Sequence, residues 1–134
     1  MDFRDDLYFM MLTIEQEAGG EIYEGKLAVA YVIVNRMGRN SAINIVLAPS
    51  QFSCWDTDSI TRRSITAAPI EIQEECYKAS VSAYFRLVDD PTKGATSYLN
   101  EEETIREDGK LPSWFDESKV TARIGNQTFL KLGG

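Results

Sequence analysis

The chain has 134 residues, 43% hydrophobic and 10% aromatic, a composition that suits one globular domain around one core and excludes a disordered chain. Its 21 acidic and 14 basic residues give a formal charge of −7, which argues against a general binder of nucleic acid or anionic membrane. Histidine is absent, and with it go Ser-His and Cys-His nucleophilic sites and the commonest zinc ligands, so chemistry resting on carboxylates stays open.

Met1 to Asp6 is acidic and lacks the basic start and apolar centre of a secretory signal, so any export is expected to be indirect. The first helix is predicted from about Asp2 to Ala18, with Asp5 and Asp6 in its early turns complementing the helix dipole. Leu7, Met10, Met11, Ile14 and Ala18 recur at helical spacing and form one buried stripe. Gly19-Gly20 reads as the stop, because glycine accepts the left-handed conformation that ends helices. Glu17 then lies in the last turn at the edge of the stripe, where burial and the negative helix end both disfavour the ionised carboxylate. A carboxyl kept protonated in this way can serve as a general acid. Glu15 flanks the other edge, both could equally be solvated flank residues, and spacing prefers Glu17 only modestly.

Tyr23 to Met37 is ambiguous on pattern alone: its Val and Ile content suggests a strand, its length and Ala-rich centre a helix buried on most sides. The apolar run Leu27 to Val34 inside it falls far short of the roughly 20 residues that span a bilayer. Arg39-Asn40-Ser41 reads as a turn and Ala42 to Leu47 as a short helix ending before Pro49. Gln51, Ser53 and Asp56 then offer polar groups, while Phe52 and Trp55 offer flat apolar faces, the mixture that sugar recognition needs. Both rings could instead be core anchors, and Trp55 is the better stacking candidate.

The polar stretch Asp58 to Ala68 reads as a loop. A third long helix, structural in role, follows from Pro69, with Ile72, Cys76, Ala79, Ala83 and Leu87 at helical spacing. Asp89-Asp90-Pro91 and Gly94 end it, and Ala95 to Leu99 alternates as a short strand. Glu101 to Lys110 is charged and reads as a solvated loop, and Trp114 either lines a cleft or pins a loop. Val120 to Ile124 and Thr128 to Leu132 form a hairpin around Gly125-Asn126. Cys54 and Cys76 are too few for a disulfide framework, lack metal-ligand spacing and read as free thiols. No metal site and no cofactor are expected, although acidic loops such as Asp89-Asp90 could offer oxygen ligands to calcium.

Several stretches match one family in order. Glu17-Ala18-Gly19-Gly20-Glu21, the run Tyr23 to Ala30 and Val34-Asn35-Arg36 follow a pattern E-A-R-G-E, then G-x-x-A-V-A, then N-R. Gln51 to Trp55, Asp90 to Thr96 and Ile124 to Phe129 match later parts. With these motifs the chain resembles the cell-wall hydrolase family of spore-cortex-lytic enzymes, the SleB/CwlJ type. The resemblance implies an α+β, mainly α, lysozyme-like or lytic-transglycosylase-like fold over residues 1–134, with a small antiparallel sheet, and it favours helix for Tyr23 to Met37. It implies cleavage of the peptidoglycan glycan strand at the MurNAc-GlcNAc β-1,4 bond, by a transglycosylase or muramidase-type mechanism with Glu17 as catalytic acid/base. Glu21, at the end of the opening motif, is expected to line the site, and the strand carrying Thr96, Tyr98 and Asn100 to lie beside Glu17. Gln51, Phe52, Ser53, Trp55 and Asn126 complete the expected substrate-binding set. Glu21 and Asp56 are the nearest second carboxylates in the sequence.

The chain departs from the family at three positions: Gly19 stands where Arg is usual, and Ser97 and Gln127 where His is usual. Small size, no secretory signal and no wall-binding module suggest a phage lysis enzyme, an endolysin, made in the cytoplasm and acting on the bacterial wall after release. Its expected partner is the glycan strand, with no nucleic acid and no membrane anchor, and the expected state is a monomer. The competing expectation is a non-catalytic glycan-binding or virion structural module that keeps the fold.

Overall fold

The computed structural model describes residues 3–38, 40–48, 52, 55 and 71–133. Helix α1 spans Phe3–Ala18 and buries the predicted stripe of Leu7, Met10, Met11, Ile14 and Ala18. Its first turn also buries Asp6, whose carboxylate accepts hydrogen bonds from the Ile43 amide at 3.1 Å and the Tyr84 hydroxyl at 3.0 Å. Burial of a carboxylate is tolerated because both of its oxygens are bonded.

Tyr23–Met37 is helix α2, and every residue from Gly25 to Val34 is buried. A segment walled in on all sides loses its amphipathic signature, which is why its pattern could be read two ways. Even Lys26 is buried there, with its ammonium 2.7 Å from Glu75. Helix α3, Ala42–Leu47, starts at Ser41, whose hydroxyl accepts from the Asn44 amide at 3.2 Å.

Helix α4, Glu74–Tyr84, is shorter than the predicted third helix. Glu71 to Gln73 are not helical, and Leu87 lies beyond the end with 64% of its surface exposed. Arg86 takes a left-handed φ of +51° and the Leu87 amide closes back on the Ser82 carbonyl at 2.8 Å, ending the helix before Leu87 can join its buried face. Cys76, Ala79 and Ala83 are buried as the spacing predicts.

Glu101–Asp108 corrects the predicted loop: it is a helix, α5, with no buried residue. Asn100 caps it by accepting from the Glu103 amide at 2.9 Å, three glutamates fill the first turn, and Gly109 ends it at φ +79°. These local signals stabilise a helix that has almost no apolar face.

Strands β1 (Ser97–Leu99), β2 (Val120–Ile124) and β3 (Gln127–Leu130) form an antiparallel sheet in the order β1-β3-β2. Tyr98 stands opposite Phe129, and Ile124 opposite Gln127 across the Gly125-Asn126 turn. Phe129, Ile124 and Ala95 join the core built around α2.

The Asn35-Arg36 pair locks the sheet to that helix. Asn35 Nδ2 donates to the Ala95 carbonyl and to Asp90 Oδ2, each at 2.9 Å, and Arg36 Nε donates to the Thr96 carbonyl. Asp90 also accepts from the Thr92 amide, the Thr92 hydroxyl and the Gly94 amide at 2.7–2.9 Å. Burial alone would raise the Asp90 carboxyl, but the hydrogen bonds from Asn35, Thr92 and Gly94 outweigh it and hold the group below its ordinary value. Both Asp90 oxygens are therefore bonded, to Asn35 and within the loop.

Candidate active site

Glu15 and Glu17 both stand near the end of α1. Glu15 accepts from the Gln73 amide at 2.9 Å, from Gln73 Nε2 at 2.7 Å and from the Cys76 thiol at 3.5 Å. It thus supplies, from another helix, the acceptor that the start of α4 requires. Burial, followed by the neighbouring Glu15 carboxylate, pushes the Cys76 thiol up to about 12. Cys76 is a buried free thiol, and Cys54 lies outside the described residues.

Glu17 is half-buried in the last turn of α1. Gly19 and Gly20 then reverse the chain, and the Glu21 amide donates to the Ala18 carbonyl at 3.0 Å. Gly19 fits a tight place: a Cβ built on it would stand 2.4 Å from the Glu15 carbonyl oxygen and 3.3 Å from Gln73 Nε2. The arginine usual in the family could not enter this backbone without a shift.

Glu21 is half-buried and accepts from both the amide and the side-chain nitrogen of Asn126, each at 3.2 Å. The hairpin turn is thereby held against the end of the opening-motif segment, although 105 positions separate the two residues. Gly125, at φ +57°, lets the turn pass close to this carboxylate, since a Cβ there would meet Glu21 Oε1 at 3.1 Å.

Beside the turn lies a cavity of about 230 Å³, lined by Asn100, Glu101, Glu102, Arg123 and residues 125–128. Glu101 Oε2 accepts from the Thr128 hydroxyl and, at 3.1 Å, from Arg123 Nε, while Arg123 also reaches Glu117 at 2.8 Å. The Thr128 hydrogen bond, then that of Arg123, holds the Glu101 carboxyl below its ordinary value. Among the described residues, no group of three or more His, Cys, Asp or Glu is arranged to hold a metal ion.

Two expected sugar platforms are corrected by their surroundings. Phe52 is 2% exposed, and the Arg36 guanidinium sits 5.5 Å over its ring. Trp55 is 5% exposed, packs 5.2 Å from Phe9 and donates from Nε1 to the Thr13 hydroxyl at 2.7 Å. Both rings are core anchors, because each face is already covered and the indole N–H already has its partner. Thr96 is also committed to the fold: its hydroxyl accepts from the Leu132 amide at 3.0 Å and donates to the Leu132 carbonyl at 3.2 Å. Tyr98 is half-buried and tilted on Phe129 at 5.9 Å. Trp114 is exposed.

Asn100 and Asn126 come together at the cavity, with Glu21 bracing the turn from outside. Gln51, Ser53 and Asp56 lie outside the described residues. Glu101 falls in the stretch that reads as a solvated loop, and Arg123 and Thr128 fall in the hairpin, so no local signal in the sequence joins these three residues. Gln127 was marked only as a departure from the family.

A family model described as Cell Wall Hydrolase matches residues 20–130. Among solved structures, the chain is similar to the catalytic domain of the Bacillus cereus SleB protein, with a TM-score of 0.72 and 25% identity over 96% of this chain and 91% of that one. It is also similar to the catalytic domain of the germination-specific lytic transglycosylase SleB from Bacillus anthracis, with a TM-score of 0.68 and 25% identity over 94% and 93% of the two chains. Among curated proteins, none matches the sequence. The mainly helical α+β architecture with its three-stranded sheet is the lysozyme-like fold of these catalytic domains.

Proposed function

The chain belongs to the cell wall hydrolase family and is a peptidoglycan-degrading enzyme, and from that premise we propose that it cuts the MurNAc-GlcNAc β-1,4 bond with Glu17 as its single acid/base. The observation that carries this reading is the place of Glu17, half-buried in the last turn of α1 at the first position of the opening motif, on the helix whose Glu15 bonds Gln73 and Cys76 and so anchors that turn to α4. The likeness to a lytic transglycosylase catalytic domain supports the reaction class.

In this reaction the Glu17 carboxyl protonates the glycosidic oxygen, and the GlcNAc leaves with its C4 hydroxyl restored. The resulting carboxylate then takes the proton of the muramyl C6 hydroxyl as O6 bonds to C1, which closes a 1,6-anhydro ring and returns Glu17 to its starting state. Glycosidases that use water commonly need a second carboxylate. A tethered hydroxyl lowers that requirement, since well-oriented intramolecular nucleophiles reach effective molarities on the order of 10⁵ M or more.

Turbidity loss of exposed cell wall tests the assignment: Glu17→Gln keeps the shape of the side chain, removes the transferable proton, and is expected to abolish lysis. Equal lysis by the variant would overturn the role of Glu17. Failure of the unaltered protein on several wall types would favour a glycan-binding module.

The setting we propose is phage lysis, with the enzyme made in the cytoplasm and reaching the wall after release. No helix among the described residues is long and apolar enough to cross a membrane. Expression in a susceptible host should lyse cells only when a pore-forming protein is co-expressed, and lysis without one would contradict the setting.

A further inference from the structure

Several of the groups that line the cavity beside the hairpin turn are already engaged with the fold. Arg123 is tied to Glu101 and Glu117, and the Asn126 side-chain nitrogen is held by Glu21. The Asn100 side-chain oxygen caps α5. Of the lining groups, Gln127 stands apart: among the described residues its Oε1 is the buried side-chain oxygen that takes no hydrogen bond. An unsatisfied buried acceptor is costly, and it is relieved when a donor enters or when the amide turns toward one. Glu101, an ionised carboxylate, faces the same space through a group of which Thr128 and Arg123 bond only Oε2.

We infer that this cavity is a glycan subsite that takes the acetamido group of an N-acetylated sugar, its N–H donating to Gln127 Oε1. The inference rests on the glycan-strand reading above and deepens it. At about 230 Å³ the space is below the usual size of a drug-like ligand pocket, which suits one substituent of a longer chain rather than a whole oligosaccharide. Its place fits an extended substrate, because Glu21 joins the turn to the segment that follows Glu17.

The test is binding without turnover. Peptide-free glycan tetrasaccharide of alternating GlcNAc and MurNAc is titrated into Glu17→Gln protein, alongside a counterpart with hydrogen in place of each acetamido group and a free stem peptide. The acetylated glycan is expected to bind, and Gln127→Leu to weaken it about tenfold, the worth of one hydrogen bond. Gln127→Glu, which keeps the acceptor, is expected to retain most of the affinity. The counterpart without a donor at C2 should bind more weakly, and Gln127→Leu should not weaken it further. If Gln127→Leu does not fold, backbone amide shifts at Asn126, Gln127 and Glu101 on addition of acetylated glycan carry the test in its place. Equal affinity of the Leu variant, no dependence on the acetyl group, or binding of the stem peptide alone would overturn the assignment. Retained lysis by Glu17→Gln would instead strike the catalytic reading and leave the binding result standing.

Discussion

Glu21 holds Asn126 through two hydrogen bonds of 3.2 Å, one to the backbone and one to the side chain, and so fastens the β2–β3 turn to the end of the opening motif. Glu21→Ala and Asn126→Ala should each lower lytic activity more than stability, with a stability loss of about 1 kcal/mol, as expected for hydrogen bonds close to solvent. The double variant should be little worse than either single one, since both remove the same contact. Full additivity in a double-mutant cycle of kcat/KM and unfolding free energy would show that the contact does not couple the two segments.

Gly19→Ala should destabilise the fold by roughly 1–3 kcal/mol, the range for overpacking, because its Cβ meets the Glu15 carbonyl at 2.4 Å. Chemical denaturation measures this. A neutral or stabilising result would mean that the chain end relaxes freely and that the family arginine could be restored.

The Asp90 network makes a pH prediction. Its native carboxyl titrates below the ordinary value of 3.8, so its contribution is fully present above that value and is lost as pH falls through the lowered native one. Asp90→Asn should flatten the acid limb of stability measured between about pH 5 and about pH 2. Asn35→Ala should cost roughly 2 kcal/mol or more, since it leaves an Asp90 oxygen and the Ala95 carbonyl short of a donor. An unchanged acid limb in Asp90→Asn would contradict the role given to these bonds.

Cys76 should resist alkylation in the native state, because a buried thiol raised to about 12 carries almost no thiolate near neutral pH. In a Cys54→Ser background, labelling should follow global unfolding as denaturant is added. Rapid labelling of the native protein would show that the α1–α4 contact opens locally.

Legibility of the chain followed the kind of signal each segment carries. The stripe of α1 and the breakers around α3 set those helices to within a residue, since spacing and Gly or Pro punctuation are local, whereas the pattern of Tyr23 to Met37 fits strand or helix and the resemblance favours helix. Helix α5 was hidden because its charges were read and its caps, Asn100 and Gly109, were not. The scaffold role of Glu15 is set by Gln73, 58 positions away, and no local pattern reports such a partner. Phe52 and Trp55 misled for a related reason: an aromatic ring beside polar residues has the composition of a sugar site and of a core anchor alike, and only burial separates them.

The most direct measurement of the central claim is mass spectrometry of glycan strands digested by the unaltered protein and by Glu17→Gln. The unaltered protein should leave 1,6-anhydro-muramyl ends, lighter by one water than reducing ends, and the variant should leave none, because one tethered hydroxyl and one acid/base suffice for that product. Mostly reducing muramyl ends would mean hydrolysis and a second carboxylate, and reducing GlcNAc ends would place the cut at the other glycosidic bond and contradict the account.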